Sequence, residues 1–112
     1  MKRYGSVIEI REDKIREYRR LHSDVWPGVL SMIRESGIKN YSIYLRRLSE
    51  DRWFLFSYFE YVGDNFEAGM KKMSEDEETR RWWDVCKPCH IPLADREEGE
   101  WWAAMEEVFH QE

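Results

Sequence analysis

The sequence lacks the features of membrane-spanning, exported and nucleic-acid-binding proteins. No apolar run approaches the roughly 20 residues needed to cross a bilayer. Met1–Gly5 lead directly into a strand-like pattern, without the apolar core of a signal peptide. The net charge of −5, with arginine pairs set among acidic residues, argues against the concentrated basic face that nucleic acid requires. We therefore expect a single domain over residues 1–112 in the cytoplasm, with neither a membrane nor nucleic acid as partner.

The motifs of common phosphate, acyl-transfer and zinc enzymes are also missing. There is no glycine-rich phosphate loop, no G-x-S-x-G and no H-E-x-x-H. The segment Cys86–His90 (CKPCH) matches the c-type haem attachment pattern, but haem attachment belongs with export. A zinc site would need two further ligands, and His22 and His110 are distant in sequence. We interpret the cysteines as structural and expect no metal and no cofactor, with a redox dithiol, half a zinc site or haem as alternatives.

Aromatic side chains are abundant, with six Trp, six Tyr and five Phe. Most such rings pack in a core or a subunit interface. Some could instead form a stacking surface. A sugar is a natural ligand for such a surface, because the C–H face of a sugar packs well on an aromatic ring.

Hydrophobic periodicity predicts an α+β fold. Residues 3–10 indicate a strand, and an amphipathic helical stripe begins at Asp13. Pro27 interrupts this stripe, which is tolerated if Ser23 or Asp24 caps a second helical piece that ends at Gly37. The remaining predicted elements are strands 38–48 and 52–61 joined by residues 49–51, helices 64–73 and 75–87, and a last strand 104–110, although the C-terminal stretch could equally be helical.

The predicted order β, α, β, β, α, β is the ferredoxin-like arrangement, an antiparallel sheet with helices on one face. The uncovered face of such a sheet would expose apolar side chains. We therefore expect a homodimer in which two sheets pack face to face.

Tyr18 and His22 are the first candidates for chemistry. They are four residues apart and so share one helical face, which is the apolar one. A histidine there is more often a hydrogen-bonded core residue. The break before Pro27 can, however, place His22 in a cleft, where it could both give and accept a proton near neutral pH.

Tyr41 and two tryptophan pairs are further candidates. Alternation along the strand puts Tyr41 and Ile43 on one face, where ordinary packing is the preferred interpretation. Trp82 and Trp83 point about 100° apart on a helix, so one of them is expected to line a cavity or an interface. For the pair Trp101-Trp102 we prefer packing or a dimer contact.

Several segments of the chain, in this order and close to this spacing, resemble the L-rhamnose mutarotase family. They are Glu17–His22 (EYRRLH), Val25–Pro27 (VWP), Gly37–Leu45 (GIKNYSIYL), Arg81–Trp83 (RWW) and Met105–Phe109 (MEEVF). The resemblance implies a dimeric α/β barrel of ferredoxin-like subunits. It also implies a metal-free isomerase that interconverts the α and β anomers of L-rhamnose or a related 6-deoxyhexose.

Carried over by position, the resemblance makes His22 the proton donor in a reversible ring opening and places Tyr18, Tyr41, Trp82 and Trp83 around the sugar. The base is left open among Tyr18, Tyr41 and a bound water. The sequence departs from well-known members over residues 84–96, which leaves the preferred sugar open between L-rhamnose, L-fucose and other deoxyhexoses.

Two rival functions remain at this point. One is a cofactor-free monooxygenase on the same dimeric barrel, which would also use His, Tyr and Trp around an apolar substrate. The other is a non-catalytic module that binds a small molecule or haem through the segment Cys86–His90.

Overall fold

The computed structural model describes residues 1–112. Five strands and four α-helices follow one another along the chain, with short 3-10 turns at Glu12–Lys14 and Lys87–Cys89. The strands are β1 (Lys2–Ile10), β2 (Ile38–Ser49), β3 (Arg52–Tyr61), β4 (His90–Ile91) and β5 (Ala103–Met105). The helices are α1 (Ile15–His22), α2 (Pro27–Glu35), α3 (Phe66–Glu75) and α4 (Glu77–Cys86).

The strands form one antiparallel sheet in the order β2-β3-β1-β4, and β5 also pairs with β1. Both β4 and β5 lie on the edge of β1 that β3 leaves open, β4 beside Glu9 and Ile10 and β5 beside Gly5–Val7. The last strand of the ferredoxin-like pattern is thus split into two short pieces. The predicted α+β class and ferredoxin-like order are confirmed, and the hairpin of β2 and β3 lies where the sequence indicated.

The predicted last strand at 104–110 is wrong in its extent. Only Ala103–Met105 pair with β1, and residues 106–112 form neither strand nor helix. The tail stays near the sheet through an ion pair between Arg3 and Glu107 at 2.8 Å. The physical reason is that its apolar side chains find little to pack against within the chain, since Val108 is 86% exposed.

Alternation along the central strands determines which side chains enter the core. Ile8 and Ile10 of β1 and Leu55 of β3 point to the face that the helices cover, and all are at most 2% exposed. They pack with side chains from the helices and from the segment that follows α4. These partners are Tyr18, Val29, Trp82, Cys86 and Cys89.

The helical stripe is broken between α1 and α2, as predicted, but the predicted cap is wrong. Trp26 occupies the N-cap position with no side-chain hydrogen bond, and Pro27 is the first residue of α2. The carboxylate of Glu78 in α4 accepts a hydrogen bond from the backbone N–H of Gly28 at 3.1 Å. The cap of α2 is thus a side chain of another helix and not of the residues just before α2. The Ser23 hydroxyl instead donates a hydrogen bond to the Arg20 carbonyl at the end of α1.

The other helix ends have local causes that the sequence shows. Gly37 follows α2 with φ of 91°, a left-handed conformation that favours glycine, as predicted for its C-terminal cap. Asn65 caps α3, and the carboxylate of Asp76 accepts from the N–H of Thr79 to cap α4. Both helices begin two residues later than predicted, directly after these capping side chains.

The face of the sheet opposite the helices carries aromatic side chains. Phe54, Phe56 and Tyr58 of β3 alternate with the core residues of that strand, and Tyr44 of β2 pairs with Phe56. Tyr44 is 64% exposed.

None of the helices is both long enough and apolar enough to cross a membrane.

Candidate active site

Three cavities are neighbours through shared lining residues, since the second shares His22 and Ile43 with the first and Tyr41 with the third. The first, about 150 Å³, is lined by Tyr18 and His22, and the second, about 360 Å³, by His22, Tyr41 and Trp82. The third, about 300 Å³, is lined by Tyr41 and Trp83. The second and third reach the lower end of the ~300–1,000 Å³ typical of small-molecule sites. The structure thus brings the predicted site residues into one region.

Tyr18 and His22 lie one turn apart on α1 and contact each other directly. Their rings stack with centroids 4.2 Å apart, and His22 Nδ1 lies 3.0 Å from the backbone carbonyl oxygen of Tyr18. A carbonyl oxygen only accepts hydrogen bonds, so Nδ1 carries the proton in this contact. In neutral His22 the other nitrogen, Nε2, therefore has a lone pair and no protein partner.

The state of His22 suits proton transfer. Burial lowers the pKa of His22 below its ordinary value, and the bond to the Tyr18 carbonyl opposes this only in part. The imidazole is therefore neutral around pH 7, with its basic nitrogen on the side away from the helix backbone. Such a group first accepts a proton and can then return it.

Trp82 holds the other side of His22. Its ring meets the imidazole edge to face at 5.2 Å and meets Trp26 in the same way at 5.2 Å. Trp82 is only 6% exposed, so most of its indole belongs to the core while part of it lines the second cavity. The position of His22 is fixed between Tyr18 and Trp82.

Tyr41 stands where the second and third cavities meet. The preceding residue, Asn40, has φ of 51°, and the pairing of β2 with β3 shifts between Lys39 and Ser42. This bulge turns Tyr41 toward the helices, where its ring packs edge to face on Phe59 at 5.6 Å. The residue is 42% exposed as a whole, yet burial of its hydroxyl end raises the pKa to about 12.

Trp83 points away from Trp82 and lines the third cavity, as the helical geometry predicted for one of the two. The ammonium group of Lys87 lies 5.9 Å from the centre of the Trp83 ring and 5.2 Å from that of Trp101. A cation this close to two indoles is attracted by both ring faces. Lys87 thus links the two tryptophans at the edge of the cavity.

His90 is not among the side chains predicted to surround the sugar, since the motif that contains it, CKPCH, indicates haem or metal binding instead. In the structure His90 borders the third cavity, and its Nε2 lies 3.2 Å from the hydroxyl oxygen of Tyr18. The Nε1–H of Trp101, a residue for which the sequence favours packing or a dimer contact, donates to Nδ1 of His90 at 3.0 Å. These contacts join residues 72 and 11 positions apart, so no local pattern could have indicated them.

The two cysteines belong to the core. Cys86 is 5% exposed and Cys89 is 1% exposed, and both are free thiols. Burial raises the pKa of Cys86 to about 12 and raises that of Cys89 as well, so both stay protonated. No group of three or more His, Cys, Asp or Glu side chains is placed to hold a metal ion. The structural interpretation of these residues fits their surroundings.

A family model described as L-rhamnose mutarotase matches residues 3–111 of the chain. The chain belongs to the L-rhamnose mutarotase family. Among curated relatives, the L-rhamnose mutarotase of Bacillus subtilis (strain 168) is 35% identical over 88 residues, 79% of each chain. The L-rhamnose mutarotase of Oceanobacillus iheyensis is 30% identical over 112 residues, the full length of both chains.

A solved structure agrees on the fold. The crystal structure of an L-rhamnose mutarotase from Formosa agariphila covers 100% of both chains with a TM-score of 0.74 at 21% identity. At that identity the match supports the fold alone. Membership in the L-rhamnose mutarotase family makes this protein an isomerase-type enzyme, so the monooxygenase and haem-binding alternatives are not favoured.

Proposed function

We propose that this protein interconverts the α and β anomers of L-rhamnose, or of a related 6-deoxyhexose, by acid/base-catalysed ring opening. Support comes from the family and from the names of the relatives that match most of the chain. The observation that carries the proposal is the setting of His22. One of its ring nitrogens donates to the Tyr18 carbonyl, and the other is left for a ligand in a cleft of suitable size.

In this proposal His22 moves a proton between two oxygens of the sugar. Nε2 accepts the proton of the anomeric hydroxyl, the bond between C1 and the ring oxygen breaks, and the ring oxygen takes the electron pair. The same nitrogen then delivers the proton to the ring oxygen, since both oxygens are bonded to C1. This second transfer is the donor role that the resemblance gives to His22. The open-chain aldehyde rotates about C1–C2, and the steps run in reverse.

Tyr18 and Tyr41 act as hydrogen-bonding groups in this scheme. Burial raises the pKa of both hydroxyls, so neither forms a phenolate near neutral pH. Neutral His22 is then the better proton acceptor among the nearby side chains. A positioned group of this kind contributes roughly 10²–10⁴-fold to the rate.

The apolar walls of the cleft fit a deoxy sugar. The second cavity is lined by Val25, Val29, Leu30, Ile33 and Ile43 in addition to the site residues. We propose that this lining contacts the 6-methyl group, and that Tyr41, Trp82 and Trp83 contact the rest of the ring. A C6 hydroxyl in the same place would lose its hydrogen bonds to water without finding a partner.

We further propose that the protein is a homodimer that acts in the cytoplasm. The aromatic outer face of the sheet, with Tyr44, Phe56 and Tyr58, would be covered by the same face of a second copy. The two free buried thiols are compatible with a reducing compartment.

Saturation transfer between the anomeric protons of L-rhamnose, measured by one-dimensional NMR with and without protein, tests the proposed activity. L-Mannose is a matched control sugar, because it differs from L-rhamnose only by a hydroxyl on C6. We expect added protein to accelerate exchange for L-rhamnose, with kcat/KM roughly 10- to 100-fold above that for L-mannose. No acceleration for any 6-deoxyhexose would overturn the proposal, and oxygen uptake with an aromatic substrate would favour the monooxygenase.

A further inference from the structure

Tyr18, His90 and Trp101 form a hydrogen-bonded chain that ends at the cleft. The Nε1–H of Trp101 lies 3.0 Å from His90 Nδ1, and His90 Nε2 lies 3.2 Å from the Tyr18 hydroxyl oxygen. The imidazole also meets the Tyr18 ring edge-on at 5.3 Å. His90 itself is the first residue of β4, where its backbone pairs with Ile10 of the central strand. The backbone of His90 therefore anchors these three hydrogen-bonded side chains to the sheet.

The direction of every bond in this chain follows from donor chemistry. An indole N–H only donates, so His90 Nδ1 is an acceptor and carries no hydrogen. A neutral imidazole has one N–H, which must then be on Nε2 and must donate to the Tyr18 oxygen. The hydrogen of the Tyr18 hydroxyl is left for an acceptor other than His90 or Trp101. Trp101 thus determines, through His90, which way Tyr18 donates.

His90 remains neutral under ordinary conditions, which keeps this arrangement intact. Burial is the main cause that lowers the pKa of His90, and the nearby His22 and Lys87 lower it further, to about 4. Both of its ring nitrogens are occupied by protein partners, whereas His22 keeps Nε2 for a ligand. The two histidines therefore differ in whether a ring nitrogen remains available to a ligand.

We propose that His90 and Trp101 are positioning residues that make Tyr18 a fixed hydrogen-bond donor to the sugar oxygen that becomes negative during ring opening. This inference rests on the proposed mutarotase activity. In the scheme above, negative charge develops on the ring oxygen after Nε2 of His22 has taken the anomeric proton. An O–H already oriented toward that oxygen stabilises the charge without reorganising.

The tautomer of His90 can be tested without measuring activity. In ¹⁵N NMR spectra at neutral pH, we expect a protonated Nε2 and an unprotonated Nδ1, assigned by loss of these signals in His90→Phe. Trp101→Phe keeps an aromatic ring at this position but removes the N–H, so the His90 signals should shift toward a mixture of tautomers. Trp102→Phe is the matched control, because Trp102 contacts the same imidazole edge-on at 5.5 Å and should leave the tautomer unchanged. A wild-type His90 protonated on Nδ1 would overturn the inference.

A double-mutant cycle on anomer exchange distinguishes positioning from simple packing. We expect His90→Phe, and to a smaller degree Trp101→Phe, to lower kcat by about 3- to 10-fold, the effect of one hydrogen bond, with little change in KM. In a Tyr18→Phe background the same changes should have no further effect, because the group they orient is gone. Equal losses in both backgrounds would overturn the inference. Trp101→Phe keeps the test decisive if His90→Phe does not fold, since Trp101 is 36% exposed.

These outcomes separate the inference from the activity on which it rests. If wild-type protein accelerates exchange and the cycle shows independent losses, the positioning role fails and the mutarotase activity stands. If wild-type protein gives no acceleration, the proposed function fails, and the ¹⁵N spectra alone decide the hydrogen-bond direction.

Discussion

The imidazole of His22 stacks on the ring of Tyr18 at 4.2 Å while its Nδ1 donates to the Tyr18 carbonyl at 3.0 Å. One residue therefore fixes both the plane of the imidazole and its tautomer. The consequence is that a single basic nitrogen, Nε2, is presented to the cleft.

The pH dependence of exchange should follow His22. Neutral imidazole is the form that accepts the anomeric proton, and burial lowers its pKa below the ordinary value of 6.5. The enzymatic rate should therefore be constant at neutral pH and fall as the pH drops through a midpoint below 6.5. The measurement is kcat/KM from pH 4 to 8, corrected for buffer-catalysed mutarotation, with circular dichroism to show that the protein stays folded. A rate that rises as the pH falls would mean that the imidazolium starts the reaction.

The adjacent tryptophans should differ in what they contribute. Trp82 is 6% exposed and packs on His22 and Trp26, so Trp82→Ala should lower the free energy of unfolding by about 3–5 kcal/mol. Trp83 lines the third cavity, so Trp83→Ala should mainly raise KM, by roughly 2- to 15-fold for one stacking contact. Denaturant unfolding and saturation kinetics separate the two effects. A pure loss of kcat in Trp83→Ala would argue against a binding role.

The cysteines should be dispensable for catalysis. Changing Cys86 and Cys89 to Ser places hydroxyls in the core, which should lower the free energy of unfolding by about 1–3 kcal/mol per site. Exchange per folded molecule should be unchanged, and a chelator should have no effect on the wild type. Abolished exchange in a folded double variant would require a redox or metal role for this pair.

The outer face of the sheet should hold the dimer together. Sedimentation at micromolar concentration should show a dimer, and Phe56→Glu should give a monomer because it buries a charge in the interface. Ser74→Glu, on the exposed surface of α3, adds the same charge elsewhere and should remain dimeric. A monodisperse wild-type monomer would contradict the proposed assembly.

Much of the fold could be predicted because its causes are local. Alternation in the strands, the helical period from Asp13 and the left-handed Gly37 each depend on neighbouring residues. The cap of α2 could not be predicted, since Glu78 reaches Gly28 across 50 positions. The length of the last strand depends on whether Val108 finds a packing partner, which a sequence pattern does not show.

The candidate site could also be predicted only where its causes are local. Tyr18 and His22 could be paired from their spacing on a helix, and the two directions of Trp82 and Trp83 follow from helical geometry. The hydrogen bond between His90 and Tyr18 could not be predicted, because the two residues are 72 positions apart in the sequence.

The most direct test is anomer exchange of L-rhamnose by His22→Asn. The amide of Asn can replace Nδ1 as donor to the Tyr18 carbonyl, but it has no group that titrates near neutral pH. Circular dichroism and sedimentation should show a folded protein in the same assembly as the wild type. After correction for spontaneous mutarotation, we expect the exchange rate to fall by roughly 10²–10⁴-fold. Near-wild-type exchange by folded His22→Asn would show that the proton is transferred by another group.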